Sequence, residues 1–203
     1  SSPKNHSRLL QVFALIAEKD PTAHLALVGD GRLRGEIVQQ ITSLGLQEHV
    51  SLLGVRDDIP DLLSSMDVFL FPSHNEGLPV SLVEAQASGV PCVVSTSVTE
   101  EVALTDLLTF VSLDEPDAVW VSNISLTASR VERESAADEV RESGYDSAEV
   151  VSHLQCLYAD LLERRDKSTE HDRKSRDSAW TKVRRGKPPL ESSEGSARST
   201  DDR

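Results

Sequence analysis

The stretch DVFLFPSHNEGLPVSLVEAQASGVPCVVS, residues 67–95, carries the alternation that decides the fold. Its β-branched and aromatic beginning predicts a strand, LPVSLVEAQASG predicts a helix that ends at Gly89, and PCVVS predicts a second strand. A near-continuous apolar run such as PCVVS is typical of a strand buried on both faces of a parallel sheet. The stretch therefore predicts one strand–helix–strand unit.

The same alternation continues on both sides of this unit. The periodicity predicts strands at 24–29, 50–54 and 107–113, and helical stretches at 9–19, 32–45, 58–66, 117–144 and 147–165. Asp58 is the candidate N-cap of the short helix at 58–66, and Pro60 lies in its first turn. Repeated βα units indicate the α/β class, a Rossmann-like doubly wound parallel sheet with helices on both faces.

The composition predicts one folded domain and a charged tail. The 203 residues include 34 acidic and 21 basic side chains, which gives a net charge of −13. From Arg164 onward there are 12 basic and 8 acidic residues, and the apolar side chains are isolated from one another. Such a segment buries too little apolar surface to offset chain entropy. We therefore expect a domain over 1–163 and a disordered tail over 164–203.

The composition also excludes several classes of protein. The acidic balance argues against a nucleic-acid partner. No apolar run approaches the roughly 18 residues of a membrane span, and the first residues do not resemble a signal peptide. Cys92 and Cys156 are too few for a disulfide framework and more consistent with a reducing compartment. We expect a cytoplasmic protein.

Two carboxylates stand out in the stretch that decides the fold. Glu76 follows a predicted strand, and Glu84 lies just past the first turn of the next helix. Ligands of doubly wound sheets bind at the carboxyl ends of the strands, so both carboxylates could face one ligand there. The free amides at the helix start suit a phosphate group. The residues alone leave an alternative open, in which Glu84 is a surface residue and Glu76 a loop charge.

Two further clusters occupy the same edge of the predicted sheet. Gly29 and Gly31 follow a strand and precede a helix, where small residues let a ligand approach the backbone. A tight structural turn explains these glycines equally well. Lys4, together with Asn5 and His6, precedes the first helix, where its cation could reach a phosphate, although a lysine in such a position is ordinarily solvated.

The residues LVGDGRLRGEI (27–37), HVSLLG (49–54) and the tract at 58–95 closely resemble a known family. They are similar to the C-terminal, nucleotide-sugar-binding domain of retaining GT-B glycosyltransferases of the group 1, family-four type. The resemblance runs from about Lys4 to Glu163. The later stretches at 98–113 and 142–162 resemble the branch that builds exopolysaccharide and capsular polysaccharide.

The resemblance implies a role for each matching residue. Lys4 matches a lysine that binds the diphosphate and stabilises the departing nucleoside diphosphate, and Glu76 matches an acidic residue that contacts hydroxyls of the transferred sugar. Glu84 would hold the ribose. The remaining implied donor contacts lie in the loops after the strands: Gly29, Gly31, Gly54, Val55, His74, Gly77, Leu78, Pro79 and Val80.

The resemblance also implies partners and cofactors. The donor would be a nucleotide-sugar, most simply a UDP-sugar, and neither a metal nor another cofactor is expected. A glycan or lipid-linked acceptor would bind an N-terminal domain that this sequence lacks, and the full enzyme would associate with the inner face of the membrane. The family's first strand, with its arginine, is lacking as well. We therefore expect the isolated chain to transfer little or no sugar.

Two other functions compete with this interpretation. A non-catalytic nucleotide-binding module would keep the fold without the activity. A dinucleotide-binding oxidoreductase domain is suggested only by LVGDGRLRG, and it requires an acidic residue at the end of the second strand. Glu48 precedes that strand rather than ending it, which argues against this class.

Overall fold

The computed structural model describes residues 3–129 and 135–165. Its strands are β1 (Leu25–Val28), β2 (Val50–Gly54), β3 (Phe69–Phe71), β4 (Cys92–Ser95) and β5 (Leu108–Val111). Its helices are α1 (His6–Lys19), α2 (Arg34–Ser43), α3 (Ile59–Ser64), α4 (Val80–Ala87), α5 (Asp117–Ala128) and α6 (Ala137–Val140), and residues 147–165 form a further helix, α7. The α/β alternation predicted from the sequence is confirmed.

Every strand pair in the described residues is parallel. β1 pairs with β2, while β3, β4 and β5 form a second sheet with β4 at its centre. β1 and β2 are joined through α2, β3 and β4 through α4, and β4 and β5 through a short 3-10 helical turn at Glu100–Val102. Parallel strands need such crossover connections. All five carboxyl ends are therefore followed by loops that lead into helices or turns, the position at which doubly wound folds bind ligands.

The central strand β4 shows why helices cover both faces of its sheet. Val93 packs on one face with Val12 of α1 and Trp120 of α5. Its neighbours Cys92 and Val94 point to the opposite face and pack with Leu82 of α4. All four residues of β4 are buried, which confirms the prediction from its continuous apolar run.

The helical structure predicted over 117–144 is found at Asp117–Ala128 and Ala137–Val140, but it is interrupted in the described residues. α5 ends at Ala128, residues 135 and 136 are not helical, and α6 is only four residues long. The described part of this stretch is fixed by packing, because Val140 is buried in the cluster beneath α4. A short π-helical segment, Arg141–Tyr145, follows α6 and is kinked at Gly144, which has φ +88°.

The Asp58 side chain does not cap α3. Asp58 occupies the N-cap position, but its carboxylate accepts a hydrogen bond from Arg56 Nε at 2.8 Å and makes none to the helix amides. The predicted position of Pro60 in the first turn is confirmed. The guanidinium two residues away competes with the helix for the carboxylate, which sequence reasoning did not weigh.

The chain divides into two compact units, Ser1–Ser147 and Ala148–Arg203. The described part of the second unit is the α7 helix, whose apolar side chains include Leu154, Leu157 and Leu161. The predicted disordered tail, 164–203, lies outside the described residues except for Arg164 and Arg165, which belong to α7. Among the described residues, no helix combines the length and the apolar character needed to cross a bilayer.

Candidate functional site

A cavity of about 630 Å³ reaches the carboxyl ends of β1 and β3. This volume is typical of small-molecule sites. Apolar side chains of β1, β3 and α3 line it, among them Leu27, Leu62 and Phe69. Its polar lining residues are Lys4, His6, Asp30, Arg32, Arg34, Ser81 and Glu84. The cavity therefore combines an apolar wall with charged groups of both signs.

Lys4 is held between a carboxylate and an aromatic ring. Its Nζ lies 3.0 Å from Glu76 Oε1 and 4.8 Å from the centre of the Phe71 ring, a distance at which a cation and a ring attract each other. The backbone N–H of His74 donates to the carbonyl of Pro3 at 2.9 Å, which fixes the segment before α1 beside the loop after β3. The fold thus brings two residues that are distant in the sequence into one ion pair.

Glu76 is largely buried, whereas Lys4 is half-exposed. The Glu76 side chain is 17% exposed, and its Oε1 has no hydrogen-bond partner among the described residues. A buried carboxylate oxygen is costly without compensation, and the ion pair with Lys4 supplies it. The position of Glu76 therefore depends on the nearby cation.

Glu84 and Ser81 share one face of α4. They are three residues apart, and both line the cavity that Lys4 also lines. Ser81 belongs to the first turn of α4, whose N-cap Pro79 makes no side-chain hydrogen bond to the helix. The Glu84 carboxylate and the start of α4 are thus available to the same ligand.

Two glycines shape the loops after β1 and β2. Gly29 has φ +120° and Gly54 has φ +67°, backbone conformations that favour glycine. The N–H of Gly29 donates to the carbonyl of Gly54 at 2.7 Å, so the two turns support each other. A Cβ at Gly29, Gly31 or Gly54 would meet nothing within 4 Å, which leaves open space along these loops.

The first turn of α1 has an unusual backbone. Asn5 adopts φ +53° and ψ +47°, the left-handed region, and is the one non-glycine residue with a positive φ in the described part of the chain. His6 follows it, and its Nδ1 is buried with no hydrogen-bond partner among the described residues. Burial, reinforced by the neighbouring Lys4 cation, lowers the pKa of His6.

The structure gathers part of the predicted site in the cavity lining. Lys4, Gly29, Gly31 and Glu84 line the cavity, and Glu76 contacts Lys4. The other predicted residues, Gly54, Val55, His74, Gly77, Leu78, Pro79 and Val80, are not among its lining residues. Their roles stay predictions.

Sequence reasoning missed several residues that belong to this site. Phe71 contacts Lys4, while Arg32, Arg34 and Ser81 line the cavity. The two arginines could have been noticed, because they lie within three residues of Gly31, after a predicted strand. Nothing in the sequence marks Phe71, since it continues an apolar strand.

No group of three or more metal-ligating side chains could hold a metal ion in the residues that the structure describes. The expectation of a site without metal or cofactor stays a prediction. The charges at the cavity are those of side chains and of the α4 terminus.

Comparison with known proteins decides the family. Residues 1–118 match the model of the family described as glycosyl transferases group 1. The chain belongs to this family. The match confirms the resemblance carried by the motifs around Glu76 and Glu84, and it argues against an oxidoreductase domain.

Two curated relatives illustrate the similarity. EpsF of Bacillus subtilis, which is named as a glycosyltransferase, is 42% identical over 158 residues, which cover 76% of this chain and 41% of the relative. The UDP-Gal:alpha-D-GlcNAc-diphosphoundecaprenol alpha-1,3-galactosyltransferase of Escherichia coli is 42% identical over 76 residues, which cover 37% of this chain and 20% of the relative. The matched regions thus span less than half of either relative.

Solved structures of glycosyltransferases share the fold. The crystal structure of Anabaena Alr3699/HepE in complex with UDP-glucose superposes with a TM-score of 0.64 at 23% identity. The match covers 79% of this chain and 46% of that protein. The expected GT-B type of α/β fold is thereby confirmed.

Proposed function

We propose that this chain is the nucleotide-sugar-binding part of a retaining glycosyltransferase that uses a UDP-sugar. The observation that carries the proposal is the placement of Lys4, paired with Glu76, and Glu84 around one cavity at the carboxyl ends of parallel strands. The name of the Escherichia coli relative, which includes UDP-Gal, supports this donor class. The polysaccharide branch suggested by the sequence supports a glycan or lipid-linked acceptor.

Each charged group has a role in this proposal. The Glu84 carboxylate accepts hydrogen bonds from the ribose hydroxyls, and Glu76 accepts them from the transferred sugar. Lys4 and the backbone amides near the start of α4 hold the diphosphate, assisted by the helix dipole. Gly54 and Val55 contact the base, and His74 lies beside the sugar.

The reaction breaks the bond between the anomeric carbon of the sugar and the diphosphate oxygen, and it forms a bond to an acceptor hydroxyl with retention. Negative charge develops on the departing UDP, where the Lys4 ammonium stabilises it electrostatically. The acceptor proton leaves with the departing phosphate oxygen, so the mechanism demands no further base from the protein. Neither a metal nor another cofactor takes part in this scheme.

The acceptor and the cellular location belong to the same proposal. An N-terminal domain outside this sequence would hold the acceptor, and the full enzyme would work in the cytoplasm at the inner face of the membrane. The matched region covers 41% of EpsF, and we expect little sugar transfer by these 203 residues alone.

Calorimetric titration with UDP tests the proposal. We expect the unmodified chain to bind UDP and Glu84→Ala to bind it about 10-fold more weakly, because hydrogen bonds to a charged group are lost. Glu18→Ala, at an exposed position on α1, is the matched control and should bind like the unmodified chain. Equal affinities of Glu84→Ala and the unmodified chain would overturn the ribose assignment.

A further inference from the structure

The contacts of Glu76 make it dependent on Lys4. Its side chain is 17% exposed, and its buried Oε1 lacks a hydrogen-bond partner among the described residues. The nearby ammonium, 3.0 Å away, compensates the charge. Without that ammonium, the buried carboxylate would have no compensating charge, which costs much more than the loss of a surface pair.

The contacts of Lys4 allow a ligand to draw its ammonium away from Glu76. Its side chain is 48% exposed, and it lines the open cavity. Phe71 supports the ammonium from one side at 4.8 Å, but a ring contact leaves the remaining N–H groups available. A half-exposed ion pair is weak, so an anion with more charge competes effectively for the same cation.

We propose that the Lys4–Glu76 ion pair is an exchange contact, in which a nucleoside diphosphate competes with the Glu76 carboxylate for the Lys4 ammonium. This inference rests on the proposed function of the same cavity. In the ligand-free protein, Glu76 neutralises Lys4. When the diphosphate draws Lys4 away, the buried Glu76 oxygen loses its compensation and accepts hydrogen bonds from hydroxyl donors instead.

The exchange gives the site a built-in preference for a complete donor. A nucleoside diphosphate alone separates Lys4 from Glu76 and leaves the carboxylate without partners. A nucleotide-sugar supplies the anion that takes Lys4 and also the sugar hydroxyls that Glu76 then needs. Glu76 therefore lowers the affinity for UDP and favours binding of the UDP-sugar. A residue that only contacted the ligand would not lower the affinity for UDP.

The substitution Glu76→Gln tests the exchange, because the exchange predicts that this substitution raises the affinity for UDP. Gln keeps the shape and removes the charge, so Lys4 no longer has to leave an ion pair. We expect UDP to bind Glu76→Gln about 3-fold to 5-fold more tightly than the unmodified chain in calorimetric titration. In the Lys4→Met background, Glu76→Gln should give no such gain.

Glu18→Gln is the matched control for general charge effects. Glu18 is exposed on α1 and is not among the residues that line the cavity. We expect Glu18→Gln to change UDP affinity less than about 2-fold. Circular dichroism and thermal melting of each variant verify that it is folded.

The outcomes separate the two proposals. If the unmodified chain does not bind UDP, the proposed function and the exchange both fail. If it binds UDP but Glu76→Gln does not tighten binding, the exchange is wrong while the proposed function stands. The exchange is equally wrong if the gain persists in the Lys4→Met background or if Glu18→Gln reproduces it.

Discussion

The side-chain oxygen of Gln86 accepts hydrogen bonds from both the backbone N–H and the hydroxyl of Thr105, at 3.2 and 3.1 Å. It also accepts from the N–H of Leu104 at 3.0 Å. The Gln86 amide nitrogen donates to the carbonyls of Leu82 and Val102. This fully buried amide thus ties α4, which carries Glu84, to the segment before β5.

Replacement of Gln86 by Leu should destabilise the protein strongly. It removes the acceptor of the Thr105 N–H, and it removes one of the two hydrogen bonds of the Val102 carbonyl and of the Leu104 N–H, which keep their bond to each other. Each buried group that loses a partner costs about 1–3 kcal/mol. We expect the free energy of unfolding in urea to fall by about 3 kcal/mol. Gln39→Leu, at an exposed position on α2, should stay within about 0.5 kcal/mol. Similar losses of unfolding free energy in both variants would contradict a stabilising role of the Gln86 hydrogen bonds.

The fold was predictable where a periodic pattern decides the structure. The apolar run at β4 required burial on both faces, and the helix predicted over 78–89 is found as α4 at Val80–Ala87. Over 117–144 the pattern predicted helical structure but marked neither the end of α5 at Ala128 nor the non-helical residues 135 and 136. Helical periodicity in a sequence locates the ends of a helix less well than its existence.

The site was predictable only in part. The position of Glu84 follows from strand–helix order, so its place at a strand end could be expected. The Lys4–Glu76 contact could not, since the two residues meet only after β3 and the start of α1 are placed side by side. The support that Phe71 gives to Lys4 is likewise a product of the fold, because the residue belongs to an apolar strand.

Arg8 joins α1 to the loop before α5 through several contacts. Its Nε lies 2.9 Å from Asp117 Oδ1, it donates to the carbonyls of Leu113 and Glu115, and its guanidinium lies over Trp120. Its side chain is only 20% exposed, so these contacts are shielded from water. Ion pairs with such support stabilise more than exposed ones do.

Replacement of Arg8 by Met should therefore lower the free energy of unfolding by about 2 kcal/mol, measured in urea. Arg56 provides the matched control. It pairs with Asp58 two residues away, and both side chains are about 40% exposed. We expect Arg56→Met to lower the free energy of unfolding by less than about 0.5 kcal/mol. Equal losses of unfolding free energy in the two variants would show that burial and the Trp120 contact do not contribute to stability.

The two cysteine thiols should react at very different rates. Cys92 is fully buried in β4, and this burial raises its pKa to about 12, whereas Cys156 is exposed on α7. The thiolate is the reactive form, so burial suppresses both access and reactivity. Under native conditions at about pH 8, we expect an aromatic disulfide reagent to modify one thiol per chain.

Denaturant should expose the second thiol, and the Cys156→Ser variant should show no fast reaction at all. Fast modification of both thiols in the native protein would contradict the buried position of Cys92. Because Cys92 lies in the central strand of its sheet, the slow phase also reports global unfolding.

Stability should fall as the pH falls below 6.5, in part through His6. Burial and the Lys4 cation hold the pKa of His6 below its ordinary value of 6.5 in the folded protein. The unfolded chain then binds more protons, so the free energy of unfolding decreases with falling pH until His6 is protonated in the folded state as well. We expect the melting temperature of His6→Gln to fall less than that of the unmodified protein between about pH 7.5 and 5.5. His153→Gln, on exposed α7, should keep the unmodified dependence, and identical profiles for all three proteins would contradict the role of His6.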